Sequence, residues 1–288
     1  MAFNWQTFKT RSLTAIVFVV LMLAGLLLNG WSFFILFTLI HFGAWKEYQS
    51  LVEKFNPSYK QVSFIHKYAF MIGGWCLMLY FTNHELRIGS LTLTSIGFWM
   101  GLLFMVLLPL IMWTESKILF FRNIIYSISG LIYISLPLAL LIDLRNHNWE
   151  QSKFADLQLT IPLLIIFSIW INDTMAYIVG SLIGKTPLSK ISPKKTIEGT
   201  IGGVILTVIV IGFIAYYTGR LPVIHATTMA SLAAISGTFG DLFESKLKRM
   251  AGVKDSGHIM PGHGGFLDRF DSLLFAVVFV WFYALIVL

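Results

Sequence analysis

Asp241, Glu244, Ser245 and Lys248 fall at relative positions 0, 3, 4 and 7, a spacing that puts all four on one stripe of a helix. Asp268 and Asp271 stand three apart, again on one helical face, and Gly264 and Gly265 just before them permit close backbone approach. Carboxylates converging from two helices make a hard-oxygen site. Such a site suits Mg²⁺, which takes one or two carboxylates and completes its shell with water and phosphate oxygens. Lys248, Arg249, Lys254 and Arg269 are interleaved with these acids and supply the cations that phosphates need. The competing reading is a set of structural salt bridges, Asp241 with Lys248 and Asp268 with Arg269. Glu244 and Asp271 suit direct ligation and a supporting role equally well.

Two further groups lie upstream. Asp173 sits within the apolar run Trp170-Ile171-Asn172-Asp173-Thr174, where it can relay protons, line an ion path or orient a basic partner in the following loop; the last is favoured. That loop, Gly184–Gly199, carries Lys185, Lys190, Ser192, Lys194, Lys195 and Thr196 close to a predicted helix start, and helix N-termini attract anions. The same four lysines also satisfy a purely topogenic role. The loop contains no Gly-x-x-x-x-Gly-Lys-Ser/Thr, so it is not a P-loop. His263, between Gly262 and Gly264, suits either a phosphate contact or a structural turn.

These polar clusters need positioning elements, and the composition says which kind. The chain has 288 residues, of which 57% are hydrophobic and only 12% charged. Ionisable groups near a bilayer are costly, and nearly half of the 14 carboxylates fall in three short stretches after position 170. Apolar stretches long enough to cross a bilayer recur near 12–30, 31–52, 66–83, 91–113, 122–143, 159–181, 200–219, 226–247 and 270–288. The polar interval near 144–158 is too short for an independent core. The lone Cys76 excludes an intramolecular disulfide and a cysteine metal cluster.

With the N-terminus in the cytoplasm, nine crossings put seventeen of the 21 Lys and Arg on the cytoplasmic side and four opposite, as the positive-inside rule requires. The predicted fold is an all-α, polytopic membrane protein of about nine transmembrane helices, forming a single membrane domain over 1–288. Residues 1–158 are a five-helix scaffold. Residues 159–288 are the catalytic four-helix portion, with a cytoplasm-facing pocket between the last four helices.

The run Ser245-x-Leu-Lys248-Arg249-x4-Lys254-Asp255-x-Gly257-x3-Pro261-x-His263-Gly264-Gly265-Phe266-x-Asp268-Arg269-Phe270-Asp271 resembles the C-terminal motif of the phosphatidate cytidylyltransferase, or CDP-diacylglycerol synthase, family. Asp173-Thr174-x-Ala176-Tyr177-x2-Gly180-x3-Gly184 and Ser192-Pro193-x-Lys195-Thr196-x-Glu198-Gly199 resemble the same family's upstream motifs. Met260 and Lys194 depart from the usual residues at positions that carry none of the motif's charge.

The resemblance implies that CTP and phosphatidate give CDP-diacylglycerol and pyrophosphate at the cytoplasmic (inner) membrane surface. It implies an Mg²⁺ requirement, two metal-binding aspartates that map to Asp241 and Asp268, and a homodimer. Whether a monovalent cation accompanies Mg²⁺ stays open. The resulting assignment makes Asp241, Asp268, Lys248 and Arg249 catalytic. Asp173, Ser192, Lys195, Thr196, Lys254, His263, Gly264, Gly265 and Arg269 bind nucleotide and phosphate. Glu244 and Asp271 support the metal. The partners are CTP, phosphatidate and membrane lipid, with no nucleic acid. The alternatives are a CTP-dependent polyprenol-type lipid kinase and an ion or phosphate transporter; one-sided clustering of charge disfavours the transporter.

Overall fold

The structure is a computed structural model and describes residues 5–83, 85–114, 117–149, 154, 156–257 and 264–288. It divides into two units: Met1–Ile142 with Met250–Arg269, and Asp143–Arg249 with Phe270–Leu288.

The first unit holds α1 (Trp5–Leu27), α2 (Gly30–Phe55), a 3₁₀ turn at Pro57–Gln61, α3 (Phe64–Tyr80), a short hairpin of β1 (Arg87–Ile88) and β2 (Leu91–Thr92), α4 (Leu93–Thr114), α5 (Lys117–Gly130), a π turn at Leu131–Ser135 and the start of α6 (Leu136–Asn146). Asn29 opens α2 through reciprocal bonds with Ser32, which satisfies N–H groups that a helix start leaves over. Phe33, Phe37, Ile40, Ala44, Trp45, Tyr48 and Leu51 then form the buried stripe of α2. Several buried polar groups of this unit meet at Ser135. Trp45 Nε1 donates to Ser135 Oγ at 2.8 Å, and His41 Nε2 lies 3.0 Å from the same hydroxyl. Gly74 makes room for it, since a Cβ there would overlap Ser135 Oγ.

The second unit holds α7 (Leu157–Ile183), α8 (Ile197–Thr218), α9 (Val223–Met250) through Arg249, and α10 (Leu267–Val287) from Phe270 onward. Small residues bring these helices close. On α8, a Cβ at Gly199 or Gly203 would strike the α7 backbone carbonyls of Ala176 or Asn172. On α9, a Cβ at Gly240 would strike the backbone carbonyl of Asp271 on α10. Helices in lipid associate through such close packing because no hydrophobic gain separates protein from lipid contact.

Every one of the nine predicted apolar segments falls on helix. Among the described residues, five stretches are long and apolar enough to cross a membrane: Leu93–Ile111, Ile118–Asn146, Leu157–Ile183, Ile197–Thr218 and Leu267–Val287. The others differ for identifiable reasons. α3 has only 17 residues, and α2 and α9 carry charges over their C-terminal turns. The outer faces are apolar, as in Trp99, Leu103, Met105, Val106 and Trp113 of α4 and Ile201, Ile205 and Phe213 of α8, all exposed. So large an exposed apolar surface fits a lipid environment.

Candidate active site

In the second unit, Asp241, Glu244 and Asp271 each place a carboxylate oxygen within 4.8 Å of the other two. Two pieces of local structure bring them there. The three-residue step on α9 puts Asp241 and Glu244 on one face. Gly240, one residue before Asp241, lets the Asp271 backbone press against α9. Glu244 is fully buried and Asp271 nearly so, while the Asp241 side chain keeps a quarter of its surface exposed.

Lysines offset this charge. Lys195 forms an ion pair with Asp241, and Lys248 Nζ lies 2.5 Å from Glu244 Oε2. The i,i+4 step therefore pairs Lys248 with Glu244, where the sequence offered Asp241 as its structural partner. Ser245 Oγ donates to Asp241 Oδ1 at 3.3 Å. Asp173 and Lys195 lie within electrostatic reach of Asp271.

A cavity of about 380 Å³ opens beside Asp241, within the size range of small-molecule sites. Asp173, Tyr177, Lys194, Lys195, Thr196 and Thr238 are among the residues lining it. Asp173 thus shares a cavity with Lys194 and Lys195 of the following loop.

The loop before α8 is tied into shape. Leu188 N donates to Lys195 O at 2.7 Å, Ile197 N to Thr186 O at 2.9 Å, and Lys195 N to Ser192 O at 3.1 Å. Glu198 accepts from the Lys185 and Thr186 amides and the Thr186 hydroxyl. Thr196 Oγ1 accepts from Gly199 N at 3.1 Å and caps α8. Ser192 and Thr196 therefore hold the turn that presents Lys195. Arg249 is exposed at the end of α9.

The first unit contains the other acid of the predicted pair. Asp268 lies in the first turn of α10, and its Oδ2 accepts from Ser256 N at 2.9 Å, Ser256 Oγ at 2.9 Å and Gly265 N at 2.8 Å. Gly264 has a φ of +80°, a left-handed backbone that favours glycine, and a Cβ there would overlap the Asp268 carboxylate. Glu47 of α2 meets the same segment. Its Oε1 accepts from Phe266 N at 2.9 Å and its Oε2 from Leu267 N at 2.9 Å, while Ser256 Oγ lies 2.7 Å from Oε2, so that the one hydroxyl proton is shared between Glu47 and Asp268. A cavity of about 640 Å³ adjoins it, lined by Lys46, Glu47, Lys54, Lys254, Asp255 and Ser256 among others. Arg269 is exposed, and His263 lies outside the described residues.

Glu47 is the residue that sequence reasoning passed over, because it stands in a half read as scaffold. Two signals pointed to it. It is an acid at the end of an apolar span. The glycine-rich segment also presents backbone donors that need an acceptor.

The three-carboxylate cluster fits a hard divalent cation by its donor set, all oxygen and all anionic when ionised. The adjoining lysines fit phosphate oxygens. An all-α chain with five apolar stretches of membrane-crossing length among the described residues belongs to the class of membrane-type helical proteins, and here one acid-and-lysine cluster lies beside a cavity. The chain belongs to the cytidylyltransferase family, whose model matches residues 9–287. It is 30% identical over 276 residues to the phosphatidate cytidylyltransferase of Staphylococcus saprophyticus, covering 93% of this chain and 96% of that one. It is 40% identical over 154 residues to the Bacillus subtilis phosphatidate cytidylyltransferase, covering 52% of this chain and 54% of the relative. The corresponding Synechocystis protein is 40% identical over 144 residues, 49% of each chain. The chain is thus matched along about half the length of these last two relatives.

Proposed function

We propose that this chain transfers the cytidylyl group of CTP to phosphatidate, forming CDP-diacylglycerol and releasing pyrophosphate. The observation that carries the reading is the cluster of Asp241, Glu244 and Asp271 with Lys195 and Lys248, beside a cavity, in a chain of this family. A phosphate oxygen of the lipid attacks the α-phosphorus of CTP, the new P–O bond forms, and the bond to the pyrophosphate oxygen breaks. Both reactants are anions, so the demands are positioning and charge neutralisation.

Asp241 would hold Mg²⁺, with Glu244 and Asp271 in support; the family resemblance implies the role of metal ligand for Asp268 as well. When bound, Mg²⁺ neutralises phosphate oxygens and makes the phosphorus more electrophilic. Lys195 and Lys248 exchange their carboxylate partners for phosphate oxygens as substrate enters, and Arg249 adds charge for the departing pyrophosphate. Asp173 orients Lys195 across their shared cavity. The resemblance also gives Lys254, His263, Arg269 and the glycines of 264–265 a phosphate-binding role. No side chain becomes covalently attached to substrate.

The protein crosses the cytoplasmic membrane nine times, with its N-terminus and this chemistry on the cytoplasmic side; the distribution of Lys and Arg supports that orientation. It works as a homodimer, as the resemblance implies. The test is purified protein with phosphatidate, CTP labelled in the cytidine, and a titration of divalent ion. Label in the lipid, dependent on Mg²⁺, is expected. CDP released alongside a phosphorylated alcohol would replace this reading with a lipid kinase.

A further inference from the structure

We infer that Glu47 is a positioning residue for Asp268, acting by clamping Ser256 and the Phe266 and Leu267 amides against α2. The inference rests on the reading above, in which Asp268 is a metal ligand.

The geometry is that of a carboxylate enclosed by main chain. The two oxygens of Glu47 take the amides of Phe266 and Leu267, where α10 begins. Those are N–H groups that the helix itself leaves without acceptors, and a carboxylate there also meets the positive end of the helix dipole. A Cβ on Gly257 or on Gly265 would run into the Glu47 carboxylate. A Cβ on Gly43, one turn before Glu47, would run into the Phe266 ring. Glycine at 257 and 265 thus serves to admit the Glu47 side chain. The sequence motif, read alone, assigned Gly265 to phosphate binding.

The link to Asp268 is Ser256. Its hydroxyl lies 2.7 Å from Glu47 Oε2 and 2.9 Å from Asp268 Oδ2, and its amide donates to Asp268 Oδ2. Gly265 N, the third donor to that oxygen, lies next to Phe266, whose amide Glu47 holds. Ser256 and Gly265, the residues that fix the Asp268 carboxylate, are thus in turn held by Glu47 or sit beside a residue that it holds. Simple helix capping would require only the Phe266 and Leu267 bonds. The Ser256 bridge makes the clamp specific to the orientation of Asp268.

The experiment compares wild type with Glu47→Ala and the isosteric Glu47→Gln in the full-length protein. Two quantities are read: the Mg²⁺ concentration for half-maximal CDP-diacylglycerol synthesis, and hydrogen exchange at the Phe266 and Leu267 amides. Losing a residue that orients a metal ligand costs 10–100-fold in affinity or activity, so the half-maximal Mg²⁺ is expected to rise about tenfold. High Mg²⁺ is expected to restore part of the rate, and exchange at both amides to speed up. Faster exchange with an unshifted Mg²⁺ curve would reduce Glu47 to a helix cap and overturn the inference. Unchanged exchange would overturn the clamp itself.

Should neither Glu47 variant accumulate in the membrane, Ser256→Ala carries the test. It removes the bridging hydroxyl and leaves the backbone bonds, so a smaller shift in the same direction is expected; a curve superimposed on wild type would sink the bridge. Wild-type protein that makes no CDP-diacylglycerol would instead overturn the catalytic reading and this inference with it.

Discussion

Two acid clusters in this molecule are held in opposite ways. In the second unit, Asp241, Glu244 and Asp271 lie on helices with their oxygens close together, balanced by the side chains of Lys195 and Lys248. In the first unit, Glu47 and Asp268 accept from backbone amides and share one serine hydroxyl, with the cited bonds to Asp268 all on its Oδ2. Lysine partners are long, mobile point charges that can turn from a carboxylate to a phosphate. Amide partners are fixed by the fold and cannot leave. The first arrangement stores charge that substrate can redirect, and the second fixes geometry.

The contrast is broken most directly by neutralising one acid of each kind. Asp241→Asn removes a charge from a crowded cluster, and activity is expected to fall about 100- to 1,000-fold, the scale for losing one preorganised charge-stabilising group. Its stability is expected to hold or rise, because like charges within 4.8 Å repel in the absence of a cation. Asp268→Asn should lose activity on the same scale and stability as well, since a neutral carbonyl oxygen accepts from Ser256 and Gly265 more weakly than a carboxylate does. Turnover assays and unfolding titrations in detergent measure both. Equal stability losses in the two variants would erase the distinction between the clusters.

Glu244 sharpens the comparison, because it is the most deeply buried acid of the exchangeable cluster. Breaking a buried ion pair strands the surviving charge and costs about 3–5 kcal/mol. Lys248 keeps 14% of its side-chain surface exposed, which places Glu244→Gln at the low end of about 3 kcal/mol. Adding Lys248→Met to Glu244→Gln is expected to recover most of that stability, as read from unfolding midpoints. A double variant no more stable than the single one would mean that Glu244 answers to charges other than Lys248.

The parts of this architecture legible in sequence are those written in local spacing. The apolar segments fall on helices because their length and periodicity decide the backbone locally. The Asp241 and Glu244 stripe follows from helical geometry alone, and the approach of Asp271 was signalled by its place in the motif. Glu47 was not legible in the same way. Its partners lie more than 200 positions away along the chain, and nothing in its own neighbourhood says which backbone it will meet. The ion pairs were ambiguous for a related reason: helical spacing lets Lys248 reach either acid of the stripe, and Lys195, which pairs with Asp241, comes from a loop far away in the chain. Thr196 and Ser192 were read as phosphate contacts, and the structure adds a local role: the Thr196 hydroxyl caps α8 and the Ser192 carbonyl closes the turn before it. Hydroxyls near a helix start satisfy both descriptions, and sequence does not separate them.

Lys195 gives the smallest effect and the finest test, because its removal is expected to act in two directions at once. It pairs with Asp241 and lines the cavity, so it both competes with a cation for that carboxylate and offers charge to a phosphate. Its side chain is 31% exposed, so its contact with phosphate is only partly desolvated. A charge-assisted hydrogen bond of about 1.5–3 kcal/mol, taken at its weak end, gives about a tenfold rise in the KM for CTP on Lys195→Ala, with kcat changing less. The Mg²⁺ needed for half-maximal rate should fall, since Asp241 loses its competitor, which is opposite in sign to the shift expected for Glu47→Ala. Steady-state kinetics at varied CTP and varied Mg²⁺ separate the two. A KM and an Mg²⁺ curve both unchanged would leave Lys195 as a topological charge and remove the exchange of lysine partners from the mechanism.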